Sequence, residues 1–223
     1  IVAAGLANDL QLIFLISAAS FIVGLLFTIR LPNPEQEKEV EPGTTKRVIS
    51  KNKFLFLSLL LRHIGAAAVW VVLPIMIVDR WGGELYHISI VYTANTITAF
   101  ILMNVMASKI HLSNVTKFKI GIGCTTFVFV GLSFVTEWWM AMPFMSLVGA
   151  TWAFLFIGGN FHLMENNPRS TSTGIFSSTL SIATVVGPVV AGGIAFAFDY
   201  VAVMYFAIAI IVCAFAVSLK VRK

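Results

Sequence analysis

Residues 54–78 read FLFLSLLLRHIGAAAVWVVLPIMIV. Only one residue of this stretch, Arg62, carries a fixed charge, and only His63 beside it is otherwise ionisable near neutrality. A helix needs about 20 consecutive, mostly apolar residues to cross the hydrocarbon of a bilayer. The stretch is therefore expected to span a membrane as a helix. A membrane barrel would instead show alternating segments of about ten residues, and this run does not alternate.

Six more runs of the same kind flank it, at 10–29, 88–107, 118–135, 140–163, 174–198 and 201–219. The composition agrees. Apolar residues make up 58% of the 223 and charged residues 11%, against roughly 45–50% and about 25% in soluble domains. Lipid must serve as solvent for much of this surface. The expected fold class is an all-α integral membrane protein of about seven transmembrane helices. The net charge of +5 does not point to nucleic acid, because the basic residues sit in short loops with no aromatic–basic platform. Cys124 and Cys213 both fall inside apolar runs and read as packing residues rather than as a disulfide or metal site.

The one long hydrophilic segment, 30–53, contains PNPEQEKEVEPG and then KRVISKNK. Proline, glycine and mixed charge argue for an unpacked linker. The other loops are short, so neighbouring helices are expected to pack as antiparallel hairpins. Three parts follow: one span at 1–29, a linker at 30–53, and a six-helix bundle at 54–223.

Lys and Arg are divided very unevenly between the two sides. One side holds thirteen, namely Arg30, Lys38, Lys46, Arg47, Lys51, Lys53, Lys109, Lys117, Lys119, Arg169, Lys220, Arg222 and Lys223, and the other holds only Arg80. Basic residues near spans favour the cytoplasm. The linker and C-terminus are thus expected to be cytoplasmic, in a multi-pass protein of the plasma membrane. Asp9, Asp79, Glu84, Glu137 and Asp199 fall on the outer side.

A weak internal repeat is present. IVAAGLA, Asp9 and a span ending in LLFTIR recur as VVAGGIA (189–195), Asp199 and a span ending in AVSLKVR. Both copies run in the same direction, as do the two halves of one large transporter class.

On these residues the chain resembles the major facilitator superfamily, from the end of the fifth span through the twelfth. Leu61-Arg62-His63-Ile64-Gly65 and Pro74 resemble its seventh span. Pro168-Arg169, Gly174, Gly187-Pro188 and Gly192-Gly193 resemble the cytoplasmic loop and eleventh span. The loop after the eighth span reads ASKIHLSNVTKFK (107–119), without the Asp and Gly of the family's usual motif, so no gating contact is carried over. The resemblance implies secondary active transport of a small solute by alternating access, with a coupling ion such as a proton. It also implies five preceding spans that complete an N-terminal bundle.

The alternatives in another class are a seven-helix receptor or a nontransporting scaffold. A retinal protein would need a lysine in its last span, and 201–219 has none. No nucleotide loop, zinc motif or nucleophile–base pair marks an enzyme, and no cofactor or metal is implied.

Candidate solute- or proton-pathway residues are Arg62, His63, Trp70, Tyr92, Asn95, Trp152, Phe156 and Asn160. An ionisable residue at membrane depth is a functional candidate, although Arg62 is shallow enough to snorkel to the interface instead. His63 suits a proton carrier or a helix–helix hydrogen bond. Amides and aromatics suit either a cavity wall or packing. His162 and Glu165 share a helix face but form at most half a metal site. Gly187, Pro188, Gly192 and Gly193 are expected to bend a helix and let a neighbour approach closely.

Overall fold

The computed structural model describes residues 10–29, 41–108 and 110–222. The chain divides into two units, 1–39 and 40–223. In the first, α1 is the 20-residue helix Leu10–Ile29. The first copy of the internal repeat (1–9) and residues 30–40 of the linker lie outside the described residues.

The second unit is built from α2 (Thr44–Lys51), α3 (Lys53–Asp79), α4 (Leu85–Ser108), α5 (Asn114–Leu132), a 3₁₀ turn (Trp138–Met140), α6 (Ala141–Asn166), α7 (Arg169–Ala197) and α8 (Tyr200–Ser218). The six helices from α3 to α8 are long and apolar enough to cross a membrane. The protein is accordingly an all-α, multi-pass membrane protein. α1 is itself 20 residues of mostly apolar sequence, LQLIFLISAASFIVGLLFTI.

Two expectations are corrected here. The first is the unpacked linker: its second half folds as α2, whose Thr44 and Val48 are buried. These residues stand four apart and so share one face of the helix. Gly43, at φ 86°, makes the entry turn in a backbone region that suits glycine.

The second is hairpin packing. α5 and α6 do pack along each other, but α4 packs along α6, two elements on. α3 packs along α7 and α8 rather than along α4, and α5 meets α8. Hydrophobicity cannot select partners between helices that are both apolar. Close fit at small residues does so instead.

Gly187 shows this on α7. A Cβ there would lie 2.6 Å from the Cβ of Ala67 and 2.7 Å from the carbonyl oxygen of Ile64 on α3. Gly192 and Gly193, expected as the close-packing pair, are exposed, with nothing within 4 Å of where a Cβ would stand. The buried face of α7 runs through Phe176, Thr179, Ala183, Gly187 and Ala191. Gly192 lies one residue, about 100°, off that face. Pro188 lies within α7, which continues past it to Ala197.

Two apolar clusters fill the bundle. One, toward the end bearing Asp79 and Asp199, gathers Val69, Leu73, Ile77, Trp81, Met145, Val203 and Ala207. The other, toward the basic end, gathers Val48, Leu55, Leu59, Phe118, Leu163 and Phe176. On α3 the first cluster begins at Ala66 and the second ends at Leu59. Arg62 and His63 therefore occupy the layer between the two.

Candidate functional site: a cavity in the middle of the bundle

Arg62 lies about 13 Å along α3 from Lys53, at 1.5 Å per residue. It does not snorkel. It is 2% exposed, and its Nη2 donates across to Thr125 Oγ1 on α5 at 3.3 Å. Thr125 Oγ1 in turn donates to the carbonyl oxygen of Gly121 at 2.7 Å. The threonine thus accepts from the guanidinium with one lone pair while its own proton is satisfied within α5.

The Arg62 guanidinium also lies 5.5 Å from the ring centroid of Trp152 on α6, within cation–π range. The His63 ring stands 5.5 Å from that same indole, tilted by 32°. Trp152 therefore serves as a shared apolar wall for both ionisable groups.

Across from them, Tyr92 of α4 donates its hydroxyl to the carbonyl oxygen of Trp70 at 3.0 Å, and the two rings are 5.6 Å apart. Arg62, His63, Trp70, Tyr92, Asn95, Val148 and Trp152 together line a cavity of about 260 Å³. That is space for about eight or nine waters at ~30 Å³ each. α3, α4 and α6 all contribute walls.

No carboxylate lines this cavity among the described residues. The described acidic residues, Glu41, Asp79, Glu84, Glu137, Glu165 and Asp199, stand at helix ends or in connections. Arg62 Nε and His63 Nδ1 are buried with no hydrogen-bond partner. A buried cation without a counter-charge is costly, and an open donor adds to that cost. The site is thus poised to receive negative charge or hydrogen-bond acceptors.

Of the eight sequence candidates, Arg62, His63, Trp70, Tyr92, Asn95 and Trp152 come together here. Phe156 and Asn160 do not. Phe156 packs on Trp152 at 5.4 Å and edge-on to Phe176 of α7 at 5.6 Å. Asn160 is buried and donates to the carbonyl oxygen of Phe156 at 3.2 Å, within its own helix. Thr125 and Val148 escaped the sequence reading. Thr125 left a faint signal, as a small hydroxyl within the apolar run GIGCTTFVFVG. Val148 left none. The acid of the His162–Glu165 pair accepts from Asn114 Nδ2 at 2.6 Å, which ties α5 to α6.

No family model and no curated protein matches the chain.

Proposed function

We propose that the chain carries one six-helix bundle of a secondary transporter of the major facilitator type, which moves a small solute by alternating access. The observation that carries this is the helix pairing. Exchange α3, α4 and α5 for α6, α7 and α8 in order. The α4–α6 contact becomes α7–α3, α5–α6 becomes α8–α3, and α5–α8 maps onto itself. A shift of three antiparallel spans reverses direction through the membrane. The two triplets are thus related as inverted repeats, a recurring basis of alternating access. A seven-helix receptor has no reason to contain that relation.

The pattern of cover follows the same symmetry. In α4 only 6% of the central span is buried, and in its counterpart α7 17%, against 61% and 39% for α3 and α6. These two equivalent helices are the open sides, suited to a second bundle that would close the solute path. The cavity between α3, α4 and α6 supplies the polar layer. Arg62 would meet an anionic group of the solute, and His63 is the proton-coupling candidate. The thirteen-to-one bias of basic residues supports a plasma-membrane orientation with the basic end in the cytoplasm.

The test needs no known substrate. Cys124 and Cys213 are replaced by serine, and Asn95→Cys is introduced in the complete gene product. A membrane-impermeant maleimide is then applied from each side separately. Alternating access predicts that the cysteine is modified from either side in the same preparation. Modification from one side only would sink the transporter reading in favour of a receptor or scaffold. Lys46→Cys and Gly83→Cys should each label from one side, and from opposite sides.

A further inference from the structure

A second pocket, larger than the mid-bundle one, lies elsewhere in the bundle. At the basic end a pocket of about 840 Å³ is lined by Lys51 of α2, Asn52 and Phe54 at the start of α3, His162 and Asn166 of α6, and Lys220 and Arg222 beyond α8, together with Leu55, Leu219 and Val221. Three fixed cations from two distant parts of the chain converge on it, and among the described residues no carboxylate lines it, Glu165 standing 4.0 Å from the lining His162. Lys220 Nζ lies 5.6 Å from the ring centroid of Phe54, so the aromatic holds that ammonium at the pocket's edge.

Positive charge at a membrane end is ordinarily a signal of orientation only. What differs here is shape and position. The cations stand around a concavity rather than along a loop. Asn52 gives α3 no side-chain cap, because its amide donates back to the carbonyl oxygen of Val48 at 3.0 Å. The N-terminus of the 27-residue helix α3 opens on the pocket, but so do the last turns of α2, α6 and α8, so the three cations rather than a helix dipole set its charge. Buried His162 and the Asn52 and Asn166 amides are further polar groups within reach.

We infer that this pocket binds a phosphate group, independently of whatever the mid-bundle cavity holds. Its chemistry is that of a phosphate oxyanion met by lysine and arginine donors. Two sources present such a group at this level of a membrane. One is the headgroup of an anionic phospholipid, for which basic pockets between spans are suited. The other is a soluble phosphate compound.

The experiment uses the purified full chain in nanodiscs of phosphatidylcholine alone or doped with phosphatidic acid, with retained lipid counted by native mass spectrometry. A second arm titrates pyrophosphate into the undoped discs. The pocket variant combines Lys51→Gln, Lys220→Gln and Arg222→Gln. The control combines Lys46→Gln and Arg47→Gln, exposed basic residues outside the pocket.

Wild type should retain phosphatidic acid or bind pyrophosphate, and whichever it takes identifies the source. The pocket variant should lose on the order of tenfold or more in affinity, with the control within about twofold of wild type. Equal loss in both variants would show only a diffuse basic surface and overturn the inference. Failure of wild type to take either probe would overturn it too. A circular dichroism melt of both variants shows whether a loss reflects unfolding, and single replacements of Lys220 and Arg222 decide the matter if the triple variant does not fold.

Discussion

Arg62 Nη2 of α3 and Thr125 Oγ1 of α5 meet at 3.3 Å in the layer between the two apolar clusters. This contact is a hydrogen bond between side chains of two spans, made by a buried cation that has no ion pair among the described residues. Thr125→Val keeps the shape and removes the acceptor. It should lower stability by about 1–3 kcal/mol, the usual result of leaving a buried charged donor open, whereas Thr125→Ser should restore most of the loss. Thermal unfolding in a fixed detergent measures both. An unchanged melt for Thr125→Val would mean that the guanidinium finds another acceptor.

Gly187 and Gly192 should respond oppositely to the same change. Gly187→Leu pushes into Ala67 and the backbone of α3, where rigid neighbours cannot withdraw. Overpacking of this kind costs about 1–3 kcal/mol or more. Gly192→Leu enters open space and should leave the stability of the 40–223 unit within about 0.5 kcal/mol. A paired melt of the two variants checks this, and loss from Gly192→Leu alone would reverse the assignment.

The spans were legible because lipid imposes a simple demand: 18 or more residues with almost no charge. Arg62 stood out for the same reason, as a charge in a run that tolerates few. Much of the cavity followed, because polar and aromatic residues at mid-span are rare enough to notice one by one. Helix partners were not legible. α4 and α7 are long apolar spans like α3, and nothing in composition says that α4 should skip α5 and pack on α6. The choice lies in fit, as at Gly187 against Ala67, and fit is a property of pairs that no single run displays. Gly192 and Gly193 differ from expectation for the same reason. Two adjacent glycines are conspicuous in a sequence, but the helix seam runs through Gly187 instead. α2 was missed because its buried face is a single pair, Thr44 and Val48, among basic and polar residues.

Asp199 has two roles at the opposite end of the bundle. One carboxylate oxygen accepts from the Ala202 backbone N–H at 2.7 Å and caps α8, while the other lies 3.3 Å from Arg80 Nη2. Both side chains of the ion pair are nearly half exposed. Arg80→Ala should therefore cost at most about 1 kcal/mol. Asp199→Ala should cost more, by the ~0.5–2 kcal/mol of a lost N-cap. Asp199→Asn keeps the cap acceptor and gives up the charge, so it should behave like Arg80→Ala. If instead Asp199→Asn matches Asp199→Ala, the ion pair outweighs the cap.

Tyr92 and Trp70 carry the last prediction. α3 and α4 are consecutive in sequence yet touch little, and the cavity lies between them. What joins them beside that space is the Tyr92 hydroxyl on the carbonyl oxygen of Trp70 at 3.0 Å, backed by ring contact at 5.6 Å. Within α3 that carbonyl sits four residues before Pro74. Proline has no N–H, so the carbonyl lacks its ordinary helical donor, and the tyrosine supplies one from outside the helix. Tyr92→Phe removes the donor while keeping the ring. The mean effect on stability should be small, about 0.6 kcal/mol for a hydrogen bond between helices in lipid. The effect on geometry should be larger in proportion, because little else holds α3 against α4 at this height. Spin labels placed on exposed sites near the Asp79 end of α3 and the Leu85 end of α4 should show a broader distance distribution in Tyr92→Phe than in wild type. A Pro74→Ala background tests the cause: it gives the Trp70 carbonyl a donor within α3, so Tyr92→Phe should then broaden the distribution less. A distribution that Tyr92→Phe leaves unchanged in both backgrounds would show that ring packing, not the hydroxyl, closes this side of the cavity.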